Sequence, residues 1–170
     1  VSYQGCLKSI MALSKITNGG VAASGMPSGG VIQIQRTLFT GTSEVSISAD
    51  TDTVFTDLTV NITPTSTSSI IRIDAQATGE FANQGAATDC TWFFYRDTTK
   101  LSTPVAGSRN VGVMMGGNLS YGTSQAGSTP ESVYYSYFDS PSSTSQITYK
   151  VGIHVSQGGY NYYLNRTKDD

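Results

Sequence analysis

The feature that most constrains this chain is a strict two-residue alternation between Ile147 and Val155. Apolar or aromatic side chains occupy every second position, and Thr, Lys, Gly and His stand between them. A period of two places the first set on one face of a pleated strand and the second set on the other. The sequence therefore predicts a β-strand with one buried face, which other strands must cover.

A second strand-forming run, Val133–Phe138, precedes this strand, and the two are joined by turn-forming residues from Asp139 to Ser145. Pro141 has no N–H to contribute to a sheet. The linker is therefore expected at a sheet edge or at a corner, and we interpret the two runs and their linker as a hairpin.

Further strand-forming runs, separated by turn residues, follow one another along most of the chain. No segment has apolar residues at helical spacing over three turns, whereas strands recurring about every 8–12 residues indicate a sandwich or barrel. We predict an all-β fold, a jelly-roll-like antiparallel β-sandwich of about eight to ten strands. The predicted strands are Val31–Phe39, Glu44–Ser48, Thr53–Ile62, Ile70–Phe81, Cys90–Asp97, Val111–Met115, Asn118–Tyr121, Val133–Phe138, Ile147–Val155 and Tyr160–Arg166.

The alternation also assigns faces within several strands. In Cys90–Asp97 four aromatic residues are consecutive, so both faces of that strand are predicted to be covered. The outer face of Ile70–Phe81 is predicted to carry Arg72, Asp74, Gln76 and Glu80. The predicted inward residues are Ile32, Ile34 and Leu38; Val54, Leu58, Val60 and Ile62; and Ile71, Ile73, Ala75, Ala77 and Phe81.

Residues 1–30 differ from the rest, because they are rich in small side chains and have no sustained period. We predict two parts: an extended N-terminal arm over residues 1–30, for anchoring and assembly, and a β-sandwich domain over residues 31–170. The alternative for the arm is a flexible tail. Because Met11 resembles a translation start, the true start is either Val1 or Met11. The candidate anchor residues are Ile16, Val21, Met26 and Pro27.

Composition argues against several classes of function. Charged residues make up 13% of the chain, the net charge is -2 and the pI is about 5.2, which disfavours nucleic-acid binding. No apolar run of about 18 residues is present, so no membrane insertion is expected, and the first ten residues do not resemble a signal peptide. Cys6 and Cys90 either form a disulfide or remain thiols, with Cys90 packed beside Trp92.

Residues that carry enzyme chemistry are few and scattered. His154, the only histidine, is assigned to a polar strand face with no Ser, Cys or carboxylate in a recognisable arrangement. Asp50 and Asp52 have calcium-like spacing but lack the rest of a calcium loop, so a turn is the better interpretation. We therefore predict no enzyme, no metal site and no cofactor. The acids that would have to pair in a glycosidase, namely Glu44, Glu80 and Glu131, are interpreted as scattered surface groups.

Tyrosine is the one residue type whose distribution suggests binding. Tyrosines bury a large area while keeping a polar tip, which suits a core or a subunit interface. They can also stack on sugar rings, so contact with a glycan remains the alternative. The candidate residues are Tyr134, Tyr135, Tyr137, Tyr160, Tyr162 and Tyr163.

Three stretches resemble a known family. They are ITNGGVAASGMPSGGVIQIQ from Ile16, ITPTSTSSIIRI from Ile62, and FDSPSSTSQITYKVGI from Phe138 with YLNR from Tyr163. Together they resemble tail-fibre-like and head-decoration virion proteins of tailed phages, especially cyanophages. Similar chains continue past the Asn-Arg pair, so here either the sheet is one strand short, a neighbour fills the gap, or the sequence is truncated.

The resemblance implies a homotrimeric β-domain on the virion surface. Its expected function is structural, as a fibre, knob or capsid decoration (cement) protein that its N-terminal arm anchors to a capsid or tail protein. The alternative is a tail-fibre receptor-binding module that recognises a host cell-surface polysaccharide. The choice between head and tail stays open.

Overall fold

The computed structural model describes residues 30–82, 89–105, 107–115, 130–156 and 160–168. These ranges contain strands and no helix, and so no helix long and apolar enough to cross a membrane. The predicted strand Asn118–Tyr121 and the anchor residues Ile16, Val21, Met26 and Pro27 lie outside them. The strands are β1 (Ser43–Ile47), β2 (Thr53–Ile62), β3 (Ile71–Phe81), β4 (Thr91–Arg96), β5 (Thr99–Leu101), β6 (Met114–Met115), β7 (Glu131–Asp139), β8 (Ile147–His154) and β9 (Tyr160–Leu164).

The strands form two antiparallel sheets. The first sheet has the order β1-β9-β3-β7, and the second has the order β2-β8-β4-β5 with β6 paired to β4. The pairs are nested: β1 pairs with β9, β2 with β8, β3 with β7 and β4 with β5. A ribbon of nested antiparallel pairs folded into two sheets is the jelly-roll arrangement. The all-β sandwich prediction is confirmed.

The core between the sheets is built around aromatic rings. Phe55 of β2 stacks on Trp92 of β4 with ring centroids 5.5 Å apart, and Tyr162 of β9 meets both rings edge-on. Phe55 and Trp92 are 0% and 1% exposed, so they lie at the centre of the fold. Such stacked and edge-to-face pairs add to the stabilisation that burial of the rings provides.

The inward face predicted for β2 is wrong at Val54. Phe55 pairs with Val151, and Thr59 pairs with the preceding residue Lys150, so the register shifts between them. This β-bulge changes which face successive residues occupy. Before it Phe55 points inward, and after it Val60 and Ile62 do so. Val54 pairs with Gly152 on the outer face.

The linker between β7 and β8 is a corner between the sheets. β7 pairs with β3 in the first sheet, whereas β8 lies between β2 and β4 in the second. The predicted corner is therefore right, and the hairpin interpretation is wrong because the two strands do not pair. The apolar face of β8 is covered by the first sheet.

The predicted strand Val31–Phe39 is also wrong. No residue from Gly30 to Thr40 lies in a strand, and Ile34 and Leu38 are 78% and 75% exposed rather than inward. The chain divides into two units, Val1–Ile34 and Gln35–Asp170. In the second unit, Thr37 donates through its hydroxyl to the Thr59 carbonyl (2.6 Å), and Phe39 packs against the core.

One aromatic side chain on the outer face of the second sheet is also completely buried. Phe93 of β4 is opposite Gly152 of β8, and a Cβ added to Gly152 would lie only 2.3 Å from Cε2 of the Phe93 ring. Nζ of Lys100, a residue of β5, lies 3.9 Å from the centre of the Phe93 ring. The glycine therefore makes room for Phe93, which explains why both faces of β4 are covered.

Candidate functional site

The six candidate tyrosines do not form one site. Tyr135 and Tyr162 are 5% and 3% exposed in the core, and the Tyr135 hydroxyl donates to the Phe93 carbonyl at 3.1 Å. Burial raises the pKa of both phenols. These two tyrosines are therefore core residues, which is one of the two outcomes that the sequence left open.

Two of the remaining tyrosines lie on the outer face of the first sheet. Tyr134 is 60% exposed and donates to Asp74 Oδ1 (3.1 Å), while the ring of Tyr163 lies 4.2 Å from the guanidinium carbon of Arg166. Their partners on β3 are four residues apart, a separation of about 13 Å along the strand. Tyr137 and Tyr160 are half-buried. The described residues thus form no single tyrosine-lined groove.

A polar cluster on the outer face of the second sheet has Asp52 at its centre. Asp52 Oδ1 is 2.8 Å from both Lys100 Nζ and His154 Nδ1, and Oδ2 accepts the Tyr95 hydroxyl at 2.9 Å. The turn before β2 is thereby linked to β4, β5 and β8. The prediction that His154 has no carboxylate nearby is wrong, because Asp52 contacts it. The sequence does not reveal this contact, since 102 residues separate the two.

The cluster has the composition of a catalytic site but the geometry of a structural link. Both Asp52 oxygens are already hydrogen-bonded, and His154 Nε2 is buried without a hydrogen-bond partner among the described residues. A general base must be within hydrogen-bond reach of the proton that it abstracts. A nitrogen shielded in this way cannot reach a substrate without rearrangement.

The charges of this cluster also alter its titration. Burial alone would raise the pKa of Asp52, but hydrogen bonds from Lys100, His154 and Tyr95 together lower it. Burial, with the hydrogen bond to Asp52, raises the pKa of Tyr95 to about 12. The folded state thus favours the Asp52 carboxylate and the neutral Tyr95 phenol.

We expect Asp52→Asn to lower the free energy of unfolding by about 1–2 kcal/mol at neutral pH, because charge-assisted hydrogen bonds in a partly buried site are lost. Since folding lowers the pKa of Asp52, its contribution is present above the unfolded pKa and is lost as the pH falls through the folded value. Urea unfolding from pH 6 to pH 2 should show the two proteins converging below about pH 4. A constant difference down to pH 2 would contradict this.

A second polar cluster holds the two sheets together at the β7–β8 corner. Arg96 Nη1 contacts both Asp139 carboxylate oxygens, at 2.9 and 3.1 Å, and the Tyr149 hydroxyl donates to Asp139 Oδ2 at 2.6 Å. The Asp139 side chain is only 7% exposed. Burial, together with the hydrogen bond to Asp139, raises the pKa of Tyr149. The Asp of the Asp-Ser-Pro motif therefore has a structural role, joining β7 to β4 and β8.

The acids considered as a glycosidase pair lie in different settings. Glu44 contacts Asn161 and pairs with Arg166 at 3.3 Å on the outer face of the first sheet. The prediction that Glu80 is a surface group is wrong: it is 4% exposed and accepts the backbone N–H of Lys168. Glu131 lies at the start of β7. Within the described ranges, no three His, Cys, Asp or Glu residues are arranged to hold a metal ion.

Cys90 has a buried free thiol, and burial raises its pKa to about 12. A hydrogen bond from the Trp92 side chain opposes this shift, consistent with the predicted packing beside that ring. Cys6 lies outside the described residues, so the disulfide alternative stays untested. A thiol with a raised pKa is a poor nucleophile near neutral pH.

The Asn-Arg pair near the end of β9 also has a structural role. Asn165 adopts a positive φ of 56°, its N–H donates to the Thr78 carbonyl, and its amide donates to the Phe39 and Gly41 carbonyls. Asparagine tolerates this conformation better than most residues and can bond to backbone groups. The motif therefore holds the chain before β1 against β3 and β9.

Comparison with known proteins identifies no relative. No family model matches the chain, and neither a curated protein nor a solved structure matches it.

Proposed function

We propose that this chain is a structural protein of a phage virion, a homotrimeric fibre, knob or capsid decoration protein anchored by residues 1–30. The observation that carries the proposal is a jelly roll, a fold that recurs in virion proteins, with exposed apolar side chains on one strand pair. Phe138 and Tyr134 on the outer face of β7 are 65% and 60% exposed, and Ile70, which directly precedes β3, is 70% exposed. We call these three residues the apolar strip.

The apolar strip is well placed for burial against another subunit. Phe138 is opposite Arg72, and Ile70 lies two residues before Arg72 on the same face, so the two side chains are diagonal neighbours. Exposed apolar groups that cluster in this way often mark interaction sites. The sequence resemblance to trimeric virion proteins supports a copy of the same chain as the partner.

Solution mass tests the homotrimer. Light scattering should give about three times the 18.0 kDa chain mass, and Phe138→Asp should shift the protein towards the monomer, because burying an unpaired charge is costly. Val105→Asp is the matched control, since Val105 is 76% exposed outside the strip. A wild-type monomer, or equal effects of both variants, would contradict the proposal.

Particle attachment tests the anchor. A chain lacking residues 1–30 should fail to bind virions that bind the full chain, while Trp92 fluorescence and the unfolding transition of the β-domain stay unchanged. If the shortened chain binds virions as well as the full chain, the arm is not the anchor.

The alternative function, recognition of a host cell-surface polysaccharide, is favoured by one observation. The rings of Tyr134 and Phe138 are exposed on the same face of β7, and such rings can stack on the apolar faces of sugars. Binding of host polysaccharide measured by calorimetry should then fall at least tenfold in Tyr134→Ala, with the solution mass unchanged. A lack of polysaccharide binding by the wild type would exclude this alternative.

A further inference from the structure

β7 forms an open edge of the first sheet. It pairs with β3 over nine consecutive positions without a bulge, and among the described residues no strand pairs with its other side. Ser132 to Phe138 contain no charge and no proline. Proteins usually protect edge strands with charges, prolines or bulges. An edge as long and regular as this one is therefore suited to receive another strand.

The same chain carries a segment with the character of such a strand. Ile32 to Gln35 alternates apolar and polar residues, yet the segment Val31–Arg36 pairs with no strand among the described residues. Ile32 and Ile34 are 46% and 78% exposed. An alternating segment that exposes its apolar face has not found its partner strand.

We propose that Val31–Arg36 of one copy adds to the open edge of β7 of a neighbouring copy as an antiparallel strand, with Ile34 opposite Ser136. This arrangement places Ile32 opposite Phe138, where both side chains and Ile70 cover one another. It places Arg36 opposite Tyr134, whose hydroxyl already donates to Asp74. The only charge of the segment then lies over an aromatic ring and near a carboxylate.

A parallel alignment that starts at Glu131 matches less well. It would place Arg36 opposite Ser136 and leave Phe138 beyond the end of the added segment. The antiparallel alignment therefore accounts for both the charge and the exposed phenylalanine. The face of β7 that receives Ile32 and Ile34 is also the face that carries the apolar strip.

This inference rests on the proposed homotrimer and names the surface that holds it together. Each copy donates one segment and accepts another on a different surface, so the contact is heterologous and closes when the rotation between copies completes a ring. Strand addition supplies main-chain hydrogen bonds for affinity, and the alternating side chains set the register.

Disulfide trapping between copies tests the register. In a Cys6→Ser, Cys90→Ala background, one chain carries Ile34→Cys and a differently tagged chain carries Ser136→Cys, and the two are unfolded together, refolded and oxidised. Residues directly opposite in neighbouring strands have Cβ atoms about 4.5–5.5 Å apart, close enough to form a disulfide after small shifts. A mixed-tag product of twice the chain mass is expected on a non-reducing gel.

Ser132→Cys is the matched control acceptor, because it lies on the same face of β7 but about 13 Å along the strand. We expect its yield of mixed product to be at least tenfold lower. Equal yields at both positions, or no product from a protein whose mass is still trimeric, would overturn strand addition and leave the homotrimer standing. A monomeric mass without product would overturn both. A double Ile34→Cys, Ser136→Cys chain that closes only on itself would also refute exchange between copies.

Discussion

Replacing Asp139 with alanine is expected to lower the free energy of unfolding by about 2–4 kcal/mol, because it leaves the partly buried Arg96 guanidinium, whose side chain is 27% exposed, without its partner. Arg96 would lose both of its contacts to the carboxylate, and the Tyr149 hydroxyl would lose its acceptor. The loss falls where β7 passes into the corner that leads to β8, so both sheets are affected.

Urea unfolding followed by Trp92 fluorescence measures this effect. The control is Asp74→Ala, which breaks an ion pair with Arg72 whose side chains are 57% and 42% exposed. Exposed ion pairs contribute little to stability, so the control should be nearly neutral. An effect of Asp139→Ala no larger than that of Asp74→Ala would show that the buried pair is not a main support of the fold.

A double variant distinguishes the effect of the unpaired Arg96 charge from the effect of the lost side-chain volume. Arg96→Met combined with Asp139→Leu removes both charges and fills the corner with apolar groups, a replacement that is often neutral for buried pairs. We expect it to recover part of the stability that Asp139→Ala loses, because the Tyr149 hydroxyl still lacks its acceptor. If the double variant were less stable than the single one, shape rather than an unpaired charge would be the cause.

Alternation in the sequence is sufficient to predict most strands, because a strand that faces a core must repeat every two residues. The bounds predicted for β2 are those observed, and β8 differs by one residue. Which face of the sheet each residue of a strand occupies is less predictable. The bulge in β2 depends on its pairing with β8, and the sequence of β2 alone does not reveal that three residues are left out of register.

Long-range polar contacts were beyond prediction for a related reason. Asp52, Lys100 and His154 come from three separate segments, and only the nesting of β2, β8, β4 and β5 brings them together. Each residue taken alone resembled an ordinary surface group. The short strand β5 was missed as well, since three residues give no measurable period.

The failure at Val31–Phe39 has a different origin. Ile32 to Gln35 alternates as a strand does, but a strand also needs a partner, and a single copy provides none among the described residues. This error is informative, because the sequence of the segment favours a strand while the structure of a single copy shows none. Pairing with a second copy would remove the disagreement.

Replacing Phe55 with alanine should have an effect of similar size, about 3–5 kcal/mol, through a different cause. The ring is 0% exposed, stacks on Trp92 and meets Tyr162 edge-on, so its removal leaves a cavity between the sheets.

Phe138→Ala is the matched control, since it removes the same side chain from a position that is 65% exposed. Below the concentration at which copies associate, its effect should be under about 0.5 kcal/mol. Phe55→Ala should also shift Trp92 emission to longer wavelength, whereas Phe138→Ala should not. Equal losses of stability, or unchanged emission in Phe55→Ala, would mean that the stacked pair is not the centre of the core. If Phe138→Ala lowers the free energy of unfolding only at concentrations where the protein is trimeric, Phe138 stabilises the contact between copies. Phe55 would then stabilise the core of each copy, because its effect does not depend on concentration.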